Sequence, residues 1–206
     1  MFNLKRYLPH ILLVIYLIEF VYLAINPVDR TDWWAENIPV LITVLILILT
    51  YRKYKFSNTS YFLMAVFLMY HTVGGHFTFE KVPFDFFNNI LTSLPGDFLF
   101  TDGRNNFDRL GHFMVGVFAY PAAELMYVKG LVARKWFAAL LAVSLLGFWA
   151  ALYEIIETLY AVKFGGATAE AFLGSQGDVW DAQKDMLLDI LGAIVFSVAF
   201  YLKFRR

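Results

Sequence analysis

The chain has 206 residues, no cysteine, and 17 basic side chains against 17 acidic ones. The balanced charge argues against nucleic acid as a partner, and the lack of cysteine excludes disulfides and thiolate metal sites. A hydrophobic content of 60% is typical of a protein whose main partner is the lipid bilayer. Composition therefore predicts an integral membrane protein.

Six stretches are long and apolar enough to cross the roughly 30 Å hydrocarbon core of a bilayer as helices. The basic start of the chain resembles a secretion signal, but its apolar run is long and no small-x-small cleavage site follows, so a retained first span is expected. We predict a single all-α integral membrane domain over residues 1–206, a bundle of six transmembrane helices. The predicted spans are 8–26, 37–54, 59–80, 108–128, 136–162 and 184–204.

Lysine and arginine are unevenly distributed among the segments that join these spans. The two termini and the connections after the second and fourth spans hold 11 of the 17 basic residues and no Asp or Glu. Because cytoplasmic connections of membrane proteins carry an excess of Lys and Arg, both termini are predicted to be cytoplasmic. These basic residues are Lys5, Arg6, Arg52, Lys53, Lys55, Lys129, Arg134, Lys135, Lys203, Arg205 and Arg206.

The remaining connections are expected to face outward, and two of them are long. Residues 81–107 are rich in phenylalanine, which favours a segment that lies on the membrane surface. Residues 163–183 are rich in glycine and turn-prone, so this loop is expected to fold back over the helix ends. Long connections between packed helices are usually lids or binding loops.

Ionisable side chains within four predicted spans share one depth. The third and fifth spans run outward and carry these side chains near their ends, whereas the fourth and sixth run inward and carry them near their starts. Because ionisable groups at membrane depth are costly, they usually face a bundle interior and mark a functional site. The predicted catalytic residues in this outer half are Asp108, His112, Glu154, Glu157 and Asp185.

The spacing of these residues is compatible with a metal site. Asp108 and His112 are i,i+4 and share one helix face, and helix bundles build carboxylate–histidine metal sites from such inward pairs. His71 and His76 are five apart and face one site only if the helix bends at the two glycines between them. We therefore hypothesise that the protein binds one divalent ion (Zn²⁺, Mn²⁺ or Mg²⁺) as a cofactor. Its candidate ligands are His71, His76, His112, Glu154 and Asp185.

The same residues permit other interpretations. Without a metal, His112 backed by Asp108 is a candidate general base. Arg104 and Arg109 are candidate clamps for a phosphate or carboxylate, because guanidinium binds such groups with two hydrogen bonds. Structural roles compete: His71 alone is equally typical of a helix–helix hydrogen bond, and Glu124 is expected to reach the inner headgroups. The predicted substrate-binding residues are Arg104, Arg109, Gln176 and Asp181.

Four stretches carry a family resemblance: HTVGGHFTFEKVPF (71–84), RNNFDRLGHFMVG (104–116), YEIIE (153–157) and FLGSQGDVWDAQKDM (172–186). They resemble the family typified by YjdF. This resemblance implies a multi-span protein of the bacterial inner membrane, but it does not imply a particular biochemical activity. A weaker similarity is to VanZ-like membrane proteins, and it implies a role in the bacterial envelope. That pattern is echoed by Asp108-Arg109, His112-Phe113, a following glutamate and Asp185-x3-Asp189-x2-Gly192, with Asp189 where the pattern has Asn.

Three functions remain open on these observations. The first is an envelope enzyme that hydrolyses or transfers a group on a lipid or lipid-linked substrate, although no nucleophile elbow, phosphatase signature or zinc-protease motif is present. The second is a small proton- or cation-coupled transporter, which is disfavoured because the inner half has few polar groups and residues 8–80 and 108–204 do not repeat each other. The third is a non-catalytic scaffold whose polar cluster specifies helix packing.

Overall fold

A computed structural model describes residues 4–94, 98–164, 173 and 175–204 of the chain. The regular structure in these residues is entirely helical, which confirms the predicted all-α class. A 3₁₀ turn, Gly116–Phe118, joins the fifth and sixth helices. The helices are α1 Leu4–Leu23, α2 Arg30–Thr50, α3 Asn58–Phe77, α4 Asp85–Thr92, α5 Phe107–Val115, α6 Ala119–Val128, α7 Lys135–Phe164 and α8 Asp181–Lys203.

Four of the described helices, α1, α2, α7 and α8, are long and apolar enough to cross a membrane. They correspond to the first, second, fifth and sixth predicted spans. Helix α3, at the third predicted span, has 20 residues but includes His71 and His76, which lower its apolar character. The fourth predicted span, 108–128, is divided into α5, the 3₁₀ turn and α6.

Helix α2 begins at Arg30, well before the predicted start of the second span at residue 37. Asp29 is the N-cap: its Oδ1 accepts hydrogen bonds from the N–H groups of Thr31 at 2.7 Å and Asp32 at 2.9 Å. An Asp in this position satisfies helix donors that would otherwise lack partners. The earlier start brings the acidic residues Asp32 and Glu36 out of the expected outer connection and into the helix, where both are buried.

Helix α8 is central to the packing, because it contacts α5, the 3₁₀ turn, α6 and α7. Two glycines allow its close crossing with the α5–α6 segment. A Cβ on Gly192 would lie against the carbonyl oxygen of Phe113, and a Cβ on Gly116 would lie against the carbonyl carbon of Gly192, both closer than 3.0 Å. Only residues without a Cβ permit such an approach between helix backbones.

The basic segments identified in the sequence lie at one end of the bundle. Asn58, at the start of α3, donates a hydrogen bond to the carbonyl oxygen of Lys5 at 2.9 Å. Lys135, at the start of α7, donates to the carbonyl oxygen of Phe204 at 2.6 Å. These contacts join the beginning of α1 to the beginning of α3, and the beginning of α7 to the end of α8. We call this the basic end of the bundle.

Glu124 on α6 caps α3 at this basic end. Its carboxylate accepts hydrogen bonds from the N–H and hydroxyl of Ser57, at 2.6 and 2.7 Å, and from the hydroxyl of Ser60 at 2.6 Å. It is 2% exposed, so the expectation that it reaches the lipid headgroups was wrong. In the adjacent connection, burial and then the charge of Glu124 raise the pKa of Tyr54 to about 12.

The two predicted outer loops differ in how much of them is described. Residues 81–107 contain the short helix α4, which exposes the large side chains of Phe86 and Phe87, in keeping with a segment on the membrane surface. In the predicted loop 163–183, α7 continues through Phe164 and α8 begins at Asp181. Residues 165–172 and 174 of that loop lie outside the described part of the chain.

Candidate functional site

Asp108 and His112 on α5 meet Asp185 on α8 at the end of the bundle opposite the basic end. One potential ligand atom from each of the three residues lies within 4.8 Å of the other two. Asp108 and His112 are one helical turn apart, with 3.8 Å between Oδ1 of Asp108 and Nε2 of His112. The i,i+4 spacing in the sequence accounts for the proximity of Asp108 and His112, and the packing of α5 on α8 brings Asp185 next to them.

Asp189 fixes the orientation of the His112 ring. Its Oδ2 lies 3.2 Å from Nδ1 of His112. An ionised carboxylate only accepts hydrogen bonds, so Nδ1 of His112 is the donor to an ionised Asp189, and Nε2 faces Oδ1 of Asp108 at 3.8 Å. Carboxylates orient metal-binding histidines in the same way in many proteins.

Two buried carboxylate oxygens in this cluster accept no hydrogen bond from the described residues. They are Oδ1 of Asp185 and Oδ1 of Asp189, and each residue is only 2% exposed. The Nε of Arg109 is 3.4 Å from the first of these oxygens without forming a hydrogen bond. Burial of a polar oxygen without a partner is costly, so a bound cation or proton would be strongly stabilised here.

A network of ion pairs covers the cluster on the side away from the basic end. Arg109, which is 0% exposed, donates through Nη2 to Asp178 at 2.9 Å and to Asp181 at 2.7 Å. Arg104 Nη1 is 2.9 Å from Asp181, and Lys184 Nζ donates to Asp178 at 2.6 Å. The predicted substrate-binding residues Arg104, Arg109 and Asp181 therefore bind one another, and either arginine can hold a substrate only if these pairs open.

The connection that precedes α8 is tied to the connection that precedes α5. Gln176, the fourth predicted substrate-binding residue, accepts from the N–H of Asn105 at 2.9 Å and donates to the carbonyl oxygen of Asn105 at 3.1 Å. Burial raises the pKa of Asp178, but its hydrogen bonds from Lys184 and Trp180 and the nearby positive charges outweigh this effect and hold the pKa at about 2. Asp178 is thus an ionised anchor of the connection that precedes α8.

Acidic groups outnumber the permanent cations in the ion pairs of this region. Five carboxylates face three permanent cations and His112. A bound cation, or protons on the carboxylates and on His112, would balance the difference. The residues are Asp108, Asp178, Asp181, Asp185 and Asp189 with Arg104, Arg109 and Lys184.

A cavity of about 220 Å³ lies beside the cluster, and its lining changes character along its length. Near the end opposite the basic end it is lined by acidic residues and His71, and toward the middle of the helices by Phe67 and Phe118. It lies between α2 and α7, where the side chain of Trp149 on α7 is 53% exposed. The cavity is therefore amphipathic and borders the surface that would face lipid.

The predicted ligands His71 and His76 are not brought together. The Nε2 of His71 lies 3.2 Å from the carbonyl oxygen and 3.3 Å from Oε2 of Glu36, on the cavity wall formed by α2. The Nδ1 of His76 lies 2.7 Å from the carbonyl oxygen of Leu23. The bend that would align the two rings is absent because α3 is continuous across both glycines.

The α7 glutamates are buried beside the cluster and are separate from it. Glu157 lines the cavity, and Oε1 of Glu154 is a buried oxygen that accepts no hydrogen bond within the described chain. Neither belongs to the group of three that could share one ion, although Glu154 was a predicted ligand. Of the two glutamates, Glu157 borders the cavity and Glu154 is not part of its lining.

Sequence reasoning missed the acidic wall of the cavity on α2. Asp32 and Glu36 line the cavity opposite Asp108 and His112. The signal that could have identified them is the Asp29 N-cap, which places both acids inside a helix. Gly75 on α3 allows this wall to approach, because a Cβ there would lie 2.8 Å from the side-chain nitrogen of Asn37.

Comparison with known proteins identifies the family. A family described as "Predicted membrane protein (DUF2238)" matches residues 8–206. The chain is also 36% identical over 190 residues to "Inner membrane protein YjdF" of Escherichia coli (strain K12), an alignment that covers 90% of this chain and 84% of YjdF. No solved structure matches. The resemblance to YjdF is confirmed, the similarity to VanZ-like proteins stays a prediction, and the chain belongs to the DUF2238 family of membrane proteins.

Proposed function

We propose that this protein is a cation-dependent enzyme of the bacterial inner membrane that acts on a lipid or lipid-linked envelope substrate. The observation that carries the proposal is the proximity of Asp108, His112 and Asp185, whose potential ligand atoms lie within 4.8 Å of one another beside an amphipathic cavity. One divalent cation bound by these three residues is its central element.

The geometry suits a small divalent ion. Two ligands on one ion, each about 2.0–2.2 Å from it, are at most about 4.4 Å apart, so small side-chain movements would close the site. One imidazole with two carboxylates favours Mn²⁺ or Zn²⁺ over Mg²⁺. The three converging donor atoms, and the buried oxygen of Asp185 that accepts no hydrogen bond from the described residues, support binding of a cation.

The proposal includes six membrane spans with both termini in the cytoplasm. Helix α3 and the segment 107–128 each have about 20 residues, which at 1.5 Å per residue extend about 30 Å, the thickness of the hydrocarbon core. Helix α3 packs against α1 and α2, and the segment 107–128 packs against α7 and α8. The positive-inside rule assigns the basic end to the cytoplasm, so the cation site would lie in the outer half of the membrane.

The residues around the site suggest distinct roles in such a reaction. A bound cation would act as a Lewis acid toward a phosphoryl or carbonyl oxygen of the substrate. Asp189 orients His112, and Glu157 on the cavity wall is the candidate acid or base. Arg104 and Arg109 hold the outer connection over the site through Asp181. The apolar part of the cavity, between α2 and α7, would accommodate a lipid chain entering from the bilayer.

A transport function is less well supported. Transport requires access from both faces of the membrane, and therefore polar groups in the inner half as well. Glu124 is the acidic residue that the sequence places in the inner half. Its carboxylate is held by three hydrogen bonds from Ser57 and Ser60 at the start of α3. A group engaged in capping a helix is poorly suited to relay protons or cations.

The cation site is tested by titration of purified, metal-depleted protein with Mn²⁺ and Zn²⁺ in isothermal calorimetry. We expect one site in the wild type and at least about tenfold weaker binding in H112Q and D185N, because each loses a direct ligand. H76Q is the matched control, since His76 contacts Leu23 and is remote from the cluster. Absence of binding in the wild type, or equal weakening in H76Q, would contradict the site.

The reaction is tested separately, with bacterial envelope lipids as substrates and mass spectrometry as the readout. We expect cation-dependent loss or transfer of a headgroup or phosphate, abolished in D185N. Cation binding without turnover of any envelope lipid would contradict the enzyme and leave the cation site in place.

A further inference from the structure

We infer a second ligand site, for an anionic phospholipid, at the basic end of the bundle. A cavity of about 200 Å³ lies between α1, α2 and α3, far along the helices from the cation site. Its walls are apolar: α1 contributes Leu12 and Leu13, α2 contributes Leu47, and α3 contributes Met64 and Ala65. This composition fits the end of an acyl chain and excludes a free ion as the occupant.

The part of the cavity nearest the basic end, which we call its mouth, is lined by aromatic side chains with polar atoms from α1, α3 and the residue after α2. His10 of α1 packs edge-on against Tyr51, with ring centroids 5.2 Å apart, and Tyr61 of α3 lies beside them in the lining. Lys55 Nζ is 5.0 Å from the centroid of the Tyr51 ring. Aromatic rings with a polar atom are typical of the level at which lipid headgroups begin.

Basic side chains are concentrated at the helix ends near this mouth. The ends of α1, α2 and α3 that meet here carry five exposed Lys and Arg residues and no acid. The hydrogen bond from Asn58 to Lys5 joins the segments at 2.9 Å. The basic residues are Lys5, Arg6, Arg52, Lys53 and Lys55.

An apolar cavity next to helix ends rich in Lys and Arg is complementary to one class of molecule, a phospholipid with net negative charge. Its acyl chain would fill the space between the three helices, and its phosphate would face the lysines and arginines. Each basic residue close to an anionic membrane surface typically strengthens binding by about fivefold. The inference does not depend on the proposed enzymatic function, because it uses other residues at the other end of the molecule.

The test is native mass spectrometry of the purified protein released from detergent micelles doped with phosphatidylglycerol or with phosphatidylcholine of the same chain length. We expect the wild type to retain one phosphatidylglycerol in preference to phosphatidylcholine. K55Q, at the mouth, is expected to retain about fivefold less. K203Q is the matched control, because Lys203 is exposed at the same end on α8, which packs away from this cavity.

The apolar part of the site is tested by filling it. L12W replaces a buried lining residue and is expected to reduce retention of phosphatidylglycerol at least tenfold, whereas I18W, at an exposed position on the same helix, is expected to leave it unchanged. If L12W does not fold, K55Q still decides the question. Equal retention of the two lipids, or an equal loss in K55Q and K203Q, would overturn the inference.

Discussion

The close crossing of α8 and α5 predicts that a single methyl group at Gly192 will disrupt the cation site without touching any of its side chains. In G192A the new Cβ would overlap the carbonyl oxygen of Phe113, well inside the 3.0 Å limit of real contacts. The helices must therefore separate by about 1 Å, since packed backbones cannot absorb the overlap by rotating a side chain.

This separation acts directly on the pair formed by His112 and Asp189. Asp189 lies one turn before Gly192 on α8, and its Oδ2 is 3.2 Å from Nδ1 of His112. An increase of about 1 Å moves the two atoms beyond hydrogen-bonding distance. Loss of a carboxylate that orients a metal-binding histidine typically weakens metal affinity by about 10–100-fold. Overpacking of the crossing should also cost about 1–3 kcal/mol of stability.

The assay is Mn²⁺ titration by calorimetry together with thermal unfolding in the same detergent. G147A is the matched control: Gly147 on α7 also faces α8, but a Cβ there would lie 3.4 Å from Cγ1 of Ile190, an ordinary contact. We expect G192A to bind weakly and unfold at lower temperature, and G147A to behave as the wild type. Wild-type Mn²⁺ affinity in a folded G192A would refute the link between the crossing and the site.

Three further predictions concern other parts of the molecule. E124Q weakens the capping hydrogen bonds from Ser57, so thermal unfolding should show a free energy of unfolding lower by about 2 kcal/mol, with unchanged Mn²⁺ affinity. An unfolding midpoint equal to that of the wild type would contradict this prediction. The pKa of Asp178 is about 2, below its usual 3.8, so its ion pair with Lys184 contributes stability fully above pH 3.8 and loses it toward pH 2. The difference in unfolding midpoint between wild type and D178N should therefore narrow over that interval, and a constant difference would refute it. E157Q should lower the rate of lipid turnover by about 100-fold or more, while calorimetry shows wild-type Mn²⁺ affinity. Loss of lipid turnover together with loss of Mn²⁺ binding would exclude Glu157 as the acid or base.

The helical class and the approximate helix positions could be predicted because hydrophobic periodicity and length are local properties of the chain. The start of α2 was harder to predict. Hydropathy separates the acidic residues Asp32 and Glu36 from the apolar span, whereas the Asp29 cap extends the helix to include them. Hydropathy identifies the helix segments that face lipid, whereas Asp32 and Glu36 are buried in the interior. Their polarity therefore did not mean that they lie outside the helix.

The candidate site was accessible from sequence only in part. The i,i+4 spacing of Asp108 and His112 fixes their proximity on α5, and shared depth suggested Asp185 as a neighbour. Depth does not specify which way a side chain points around the helix axis, so it could not separate His76 from the cluster. Nor does it reveal the contact between Gly116 and Gly192, which depends on how two distant segments cross.

The most direct test of the cation site is pulsed electron paramagnetic resonance of the protein loaded with one equivalent of Mn²⁺, which counts the histidine nitrogens bound to the ion. Ligation by Asp108, His112 and Asp185 predicts coupling to one histidine nitrogen, lost in H112Q and retained in H71Q and H76Q. Coupling to no nitrogen, or to a nitrogen that survives H112Q, would contradict it.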